Sequence, residues 1–147
     1  MMSMNKWDKR YLDLALEVAS WSKDPSTKVG CVIIDSFGRP VSFGFNGLPR
    51  EMEDTDERLN DRTFKYAHTT HGEINAVLAA GRHLNGCTVY ITHPPCSMCL
   101  CQLKQAFVDK IVCYDGGKDF QERWNTDSVL KLADELKISI NIYEKND

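Results

Sequence analysis

Residues 71–99 read HGEINAVLAAGRHLNGCTVYITHPPCSMC, and they contain the signals of a helix, a strand and the start of a second helix. The first part, about residues 70–82, predicts an amphipathic helix, whose apolar face consists of Ile74, Val77 and Leu78. Residues 87–92 predict a strand. Pro95 then opens the next predicted helix, since proline is favoured in a first helical turn.

The same alternation extends towards the N-terminus. Residues from about 6 to 22 predict an amphipathic helix, in which the apolar residues at helical spacing are Trp7, Tyr11, Leu14, Val18 and Trp21. Two further strands, residues 29–35 and 41–46, are separated by a short turn and predict an antiparallel hairpin.

Beyond residue 86 the pattern is strand, helix, strand, helix, strand. The later strands are predicted at residues 110–114 and 138–143, and a helix from about residue 126 to 136 lies between them. Connections of this type are right-handed crossovers, which join parallel strands. We therefore predict an α/β fold, a mixed five-stranded sheet flanked by helices on both faces, formed by a single domain over residues 1–147.

Length, charge and composition restrict the function classes. The chain has 147 residues, a formal net charge of −3 and 42% hydrophobic residues, which is typical of a globular domain. No basic surface indicates a nucleic-acid partner, and no apolar run is long enough to span a membrane. Six cysteines without a secretory signal favour a cytoplasmic location and metal-binding thiolates over disulfides.

Two short segments contain metal-ligand and acid–base residues. His71 and Glu73 stand in one, Cys96 and Cys99 stand in the other, and 21 residues separate Glu73 from Pro95, where the second segment begins. One histidine and two cysteines leave a tetrahedral zinc ion an open position for water, which zinc activates as a nucleophile. A redox pair formed by the two cysteines is one alternative, and a structural zinc site with four protein ligands is another. The candidate fourth ligand of such a structural site is Cys101, which points about 200° away from Cys99 on a helix.

This H-x-E…P-C-x-x-C arrangement is the signature of zinc-dependent nucleobase deaminases. From about Trp7 to Tyr143 the chain resembles the cytidine and deoxycytidylate deaminase family. Segments 22–30 (SKDPSTKVG) and 44–49 (GFNGLP) resemble its deoxycytidylate branch in particular. Gly72 departs from the family pattern, which usually has alanine there. The resemblance implies the cytidine-deaminase-like fold and the hydrolysis of dCMP to dUMP and ammonia, which supplies dUMP for thymidylate synthesis.

The resemblance also implies roles for individual residues. His71, Cys96 and Cys99 would bind the catalytic Zn²⁺, and Glu73 would transfer protons between water and cytosine. Asn46 would hydrogen-bond the sugar hydroxyl, and a turn residue before Gly47 is the alternative interpretation. Lys23 and Lys28 flank a loop that could contact the 5′-phosphate, and Ser26 and Thr27 could add hydroxyl donors, but lysines at such positions are commonly just solvated.

Residues 48–67 are mostly polar and predict a long loop, which is usually functional in a compact domain. Its basic residues could bind phosphate, but its acidic residues favour a solvated surface; the basic ones are Arg50, Arg58, Arg62 and Lys65. By resemblance, this loop and residues 44–49 form an effector region in a homo-hexamer. There dCTP, with Mg²⁺, would raise activity and dTTP would lower it.

Three other functions agree with the same residues. The enzyme could deaminate another cytosine nucleoside, or adenosine in a tRNA loop, although a tRNA enzyme is expected to have more basic surface. A catalytically silent zinc or nucleotide-binding domain is the third, but such a domain has no need of a glutamate beside its ligands. A small nucleotide partner, without nucleic acid or membrane, is the interpretation that these observations favour.

Overall fold

The computed structural model of the protein describes residues 4–145, without the side chains of residues 121–123 and 126. The strands are β1 (Gly30–Ile34), β2 (Pro40–Phe45), β3 (Thr88–Ile91), β4 (Lys110–Tyr114) and β5 (Ser139–Tyr143). The helices are α1 (Lys6–Ala19), α2 (Asp56–Asn60), α3 (Arg62–His68), α4 (Gly72–Ala80), α5 (Ser97–Gln105), α6 (Lys118–Arg123) and α7 (Thr126–Glu135).

The strands form one mixed sheet in the order β2-β1-β3-β4-β5. β1 pairs antiparallel with β2 and with β3, whereas β3, β4 and β5 are parallel to one another. The predicted hairpin and the predicted parallel part of the sheet are therefore both confirmed. The predicted mixed five-stranded sheet is confirmed with them.

Alternating residues of each strand pack into two separate cores. Cys31 and Ile33 lie in a core with apolar residues of α4, α5 and α7. Their neighbours Val32 and Ile34 lie in the other core, against α1. Because successive side chains of a strand point to opposite faces, the sheet has helices on both sides, as predicted.

The buried face of α1 differs from the one that the sequence predicts. Trp7 and Trp21 are about half exposed, and the buried apolar residues of the helix are Leu12, Ala15, Val18 and Ala19. The reason lies in β1, where a Cβ atom on Gly30 would come within 2.0 Å of the Ala15 carbonyl oxygen. The helix backbone therefore rests directly on the strand, and only small side chains fit between them.

A second close approach fixes α4 against β2. A Cβ atom on Gly44 would lie 2.4 Å from the backbone nitrogen of Ala76 and 2.6 Å from the carbonyl oxygen of Gly72. Such separations are shorter than any real contact, so only glycine allows the two backbones to come so close. The start of α4 is thereby held beside the end of β2.

The segment that was predicted as a long loop contains two short helices instead. Thr55 caps α2 by accepting a hydrogen bond from the Arg58 backbone, and Asp61 caps α3 by accepting one from Phe64. Neither helix has a buried residue, which explains why the sequence shows no apolar stripe there. In addition, α5 begins at Ser97, two residues after the predicted start at Pro95.

Boundaries elsewhere agree to within a few residues, and β4 occupies the predicted range. The short helix α6 was not predicted. Within residues 4–145, no helix combines the length and the apolar character needed to cross a bilayer.

Candidate metal centre and active-site cavity

His71 is the residue immediately before α4, and a backbone bridge holds it in place. Gly47 and Thr70 exchange two backbone hydrogen bonds, with N···O distances of 3.2 and 2.9 Å. The Asn75 side chain adds a bond of 2.8 Å to the Phe45 carbonyl oxygen. The end of β2 and the start of α4 are thus tied together, and the imidazole of His71 emerges at their junction.

Cys96 and Cys99 occupy the start of α5, after the carboxyl end of β3. Cys96 is the N-cap residue, and its sulfur accepts a hydrogen bond from the Cys99 backbone nitrogen at 3.4 Å. The Trp124 indole nitrogen donates to the Pro95 carbonyl oxygen at 3.1 Å and fixes the preceding turn. Both predicted ligand segments therefore begin a helix, where the positive end of the helix dipole stabilises a thiolate.

The three predicted ligands lie together. The ligand atoms of His71, Cys96 and Cys99 are all within 4.8 Å of one another, the only such group of three among the described residues. The His71 Nδ1 atom is 3.1 Å from the Cys99 sulfur and 3.8 Å from the Cys96 sulfur. One imidazole and two thiols at this spacing fit a zinc ion with three protein ligands, since zinc prefers nitrogen and sulfur donors.

Hydrogen bonds among the three predicted ligands favour a thiolate at Cys96. The Cys99 thiol donates a hydrogen bond to its sulfur, and this bond, reinforced by His71, lowers the pKa of Cys96 to about 4 against the effect of partial burial. The pKa of His71 rises to about 10, mainly because of Cys96 and then of Glu73. The bond to Cys96 and burial raise the pKa of Cys99. Zinc binds cysteine as the thiolate and histidine as the neutral imidazole, so metal binding at this cluster would be coupled to proton release.

Glu73 is buried beside this cluster. It lies in the first turn of α4, is 4% exposed, and has a carboxylate oxygen 3.7 Å from the His71 Nδ1 atom. A carboxylate so placed can reach a proton on any molecule bound next to the ligands.

The cluster opens into a cavity of about 350 Å³. His71, Glu73 and Cys96 line one part of it, and an aromatic wall is formed by His93, Phe120 and Trp124. The ring centroids of His93 and Phe120 are 5.0 Å apart, in an edge-to-face arrangement. The cavity is within the size range of sites for small ligands.

Two of the predicted substrate-binding residues line this cavity, Asn46 and Thr27. The Asn46 side chain is already engaged: its oxygen accepts from the Val29 nitrogen and its nitrogen donates to the Thr27 carbonyl oxygen, both at 2.9 Å. It therefore joins the end of β2 to the loop before β1. The sugar contact stays a prediction.

The other two predicted residues, Lys23 and Lys28, are not among the described residues that line the cavity. Lys23 is largely exposed and forms an ion pair of 3.1 Å with Asp54. The Lys28 ammonium donates to the carbonyl oxygen of Ser22. The structure thus brings together the four motif residues and two of the four predicted substrate residues.

The sequence interpretation missed one wall of the cavity, which is formed by α3. Arg62 and Lys65 line it; Arg62 is exposed, as expected of a solvated surface, whereas Lys65 is not. The Lys65 side chain is only 12% exposed, because its ammonium forms an ion pair with Asp24 at 3.0 Å. The aromatic side chains of Phe120 and Trp124 were missed as well. The available signal was weak: Arg62, Lys65 and Tyr66 follow helical spacing, but without apolar residues between them.

Comparison with known proteins assigns the chain to a family. The family model described as the cytidine and deoxycytidylate deaminase zinc-binding region matches residues 5–115. The chain belongs to the cytidine and deoxycytidylate deaminase family. This result confirms the family that the sequence motifs indicate.

Individual relatives agree with this assignment. The chain is 44% identical, over 82% of its length and 81% of the other, to an uncharacterised deaminase in the luxG 3′ region of Aliivibrio fischeri. It is 36% identical, over 72% of its length, to a probable deoxycytidylate deaminase of Caenorhabditis elegans, of which it spans 56%.

A solved structure matches the fold. The dCMP deaminase of cyanophage S-TIM5, in complex with dCMP and dUMP, superposes with a TM-score of 0.76 at 17% identity over 97% of this chain and 100% of that one. The predicted cytidine-deaminase-like fold is thus confirmed.

Proposed function

We propose that this protein is a zinc-dependent deaminase that hydrolyses dCMP to dUMP and ammonia. The observation that carries the proposal is the convergence of His71, Cys96, Cys99 and the buried Glu73 on one cavity. The choice of dCMP is supported by relatives that are named deoxycytidylate deaminases, among them the human protein at 30% identity.

The proposed metal site consists of His71, Cys96 and Cys99. A zinc ion held by these residues would supply Lewis acidity, which would lower the pKa of a bound water molecule towards neutrality. Two thiolates and a neutral imidazole would hold it with a net ligand charge of −2, which offsets the charge of the cation.

Glu73 performs the proton transfers in this proposal. Its carboxylate accepts a proton as a water oxygen adds to C4 of cytosine, and it delivers that proton to ring nitrogen N3. It then takes the proton of the new C4 hydroxyl group and gives it to the exocyclic amino group, so that the C4=O bond forms as the C4–N bond breaks and ammonia leaves. Water and dCMP are thereby converted to dUMP and ammonia. Phe120 and Trp124 line the cavity in which these steps take place.

Several finer features stay predictions. The family resemblance implies the homo-hexamer, activation by dCTP with Mg²⁺ and inhibition by dTTP. The cytoplasmic location is predicted from the cysteine content, and the single domain over residues 1–147 is proposed from the chain length.

The substrate assignment is tested by ammonia release from the zinc-loaded protein. dCMP, deoxycytidine and CMP are supplied in parallel, and we expect turnover of dCMP to be the fastest by at least about tenfold, since charged contacts to a phosphate contribute that much binding energy. Equal turnover of deoxycytidine would instead assign a nucleoside deaminase. If none of the three reacts while one zinc is bound, the tRNA and silent-domain alternatives are favoured.

A further inference from the structure

The α3 wall of the cavity presents its basic side chains on a single helical face. Arg62, Lys65, Tyr66 and Thr69 line the cavity. Their spacing of three and four residues places them on the same side of the helix. Two cations therefore border the cavity that also contains Glu73 and the metal-ligand cluster.

Lys65 is held against a turn that carries hydroxyl groups. Its ammonium lies 3.0 Å from the Asp24 carboxylate and 3.3 Å from the Ser26 hydroxyl. The same Asp24 oxygen accepts from the backbone nitrogens of Ser26 and Thr27, at 2.8 and 3.3 Å. The negative charge of Asp24 is thus shared among three donors, and an ammonium with three N–H groups keeps one for a ligand.

Arg62 has its charge available. Among the described residues no acidic side chain forms an ion pair with it. Its guanidinium is planar and can bind two oxygens of a phosphate at once. By contrast, Lys23 is 70% exposed and paired with Asp54 outside this wall.

We propose that Arg62 and Lys65 form the subsite for the 5′-phosphate and make the enzyme prefer nucleotides over nucleosides. This inference rests on the proposed function, and it replaces Lys23 and Lys28 as the main phosphate ligands. Ser26 and Thr27 also line the cavity, and the Ser26 hydroxyl is 3.3 Å from the Lys65 ammonium, so these two residues complete the proposed subsite. The reactive cytosine ring then points towards Glu73.

The first test compares Arg62→Ala with Arg50→Ala. Both changes remove one positive charge from an exposed arginine, but Arg50 does not line the cavity. We expect Arg62→Ala to lower kcat/KM for dCMP about ten- to a hundredfold while kcat/KM for deoxycytidine is unchanged. Arg62→Lys should restore part of the loss. Equal effects of Arg62→Ala on both substrates, or no effect, would overturn the role of Arg62.

The second test separates phosphate binding by Lys65 from its ion pair. Lys65→Gln removes the ammonium, whereas Asp24→Asn removes the negative charge and keeps an oxygen for the two backbone nitrogens of the turn. We expect the ratio of kcat/KM for dCMP to that for deoxycytidine to fall at least tenfold in Lys65→Gln and to be retained in Asp24→Asn. A similar fall in both variants would mean that Lys65 acts only by holding the loop.

A binding measurement keeps the inference testable if the proposed activity fails. dUMP should raise the melting temperature of the zinc-loaded protein more than deoxyuridine does at equal concentration. Arg62→Ala should abolish this difference and Arg50→Ala should keep it. If neither substrate is turned over but this pattern is found, the proposed function fails and the phosphate subsite stands. If dUMP and deoxyuridine act alike on the wild-type protein, the subsite is refuted.

Discussion

Two carboxylates are buried on opposite sides of the sheet, Glu73 at 4% exposure and Asp8 at 6%. Asp8 accepts hydrogen bonds from the hydroxyls of Tyr90 at 2.9 Å and Tyr143 at 3.4 Å, and from the Asn5 amide at 3.2 Å. Glu73 instead lies against the metal-ligand cluster and lines a cavity. Burial alone therefore does not identify a functional acid. Asp8 is surrounded by hydrogen-bond donors of the protein, whereas Glu73 faces a cavity that can hold a ligand.

The largest expected effect is on the metal site beside Glu73. Cys99→Ala should abolish stoichiometric zinc binding and lower deamination at least about a thousandfold, because a ligand and the activation of water are lost together. Cys101→Ala is the matched control on the same helix, since that thiol is exposed. Zinc content and ammonia release are measured on both. Full zinc content in Cys99→Ala would contradict the ligand assignment.

The placement of Glu73 depends on the close approach of α4 to β2, which Gly44 allows. Gly44→Ala should destabilise the protein by about 3 kcal/mol, because its Cβ would overlap backbone atoms that cannot move independently. Gly72→Ala gives the contrast, since its Cβ would lie 3.1 Å from the Val29 carbonyl oxygen. That contact offsets the gain in helix propensity, so we expect a change below about 1 kcal/mol. Urea denaturation measures both, and equal losses would refute this packing argument.

The comparison predicts that Asp8 contributes to stability and not to catalysis. Asp8→Ala removes the partner of two tyrosine hydroxyls and should cost about 2 kcal/mol of unfolding free energy. The kcat/KM of the folded variant for dCMP should stay within about twofold of the wild type, well below the tenfold that 1.4 kcal/mol represents. Asp13→Ala is a control, since Asp13 is about half exposed and accepts a hydrogen bond from Tyr114. A large loss of activity in folded Asp8→Ala would show that the two carboxylates are not separable.

The smallest effect concerns alkaline pH. Burial, followed by the bond to Asp8, raises the pKa of Tyr90 above its usual value of 10.0. Because the pKa of Tyr90 is higher in the folded protein than in the unfolded chain, Tyr90 stabilises the fold at pH values below its unfolded pKa. This stabilisation is lost as the pH rises further. The free energy of unfolding should therefore fall above about pH 10, and it should fall less steeply in Tyr90→Phe. Parallel pH profiles of the two proteins would contradict this explanation.

The sequence predicts the metal centre better than the substrate wall, for a physical reason. His71, Glu73, Cys96 and Cys99 are positioned by local spacing at two helix starts, so the motif itself contains most of the geometry. Lys65 lines the cavity beside Asp24, which is 41 residues away in the sequence and pairs with its ammonium. No local pattern records such a contact.

The same reasoning explains the outcome for α1. The tryptophans give this helix an apparent apolar face, yet its packing is decided by Gly30 on a neighbouring strand. The mixed sheet could be predicted because alternating strands and helices constrain connection handedness. The buried face of α1 could not, because close backbone approach depends on two distant segments together.

The most direct test of the proposed function is Glu73→Gln, assayed for ammonia release from dCMP with zinc measured on the same sample. Glutamine preserves the shape of the side chain but cannot accept and return the proton. We predict one zinc per chain and a fall in kcat of about a hundred- to ten-thousandfold. Full activity with zinc bound would contradict the central claim that Glu73 transfers the protons.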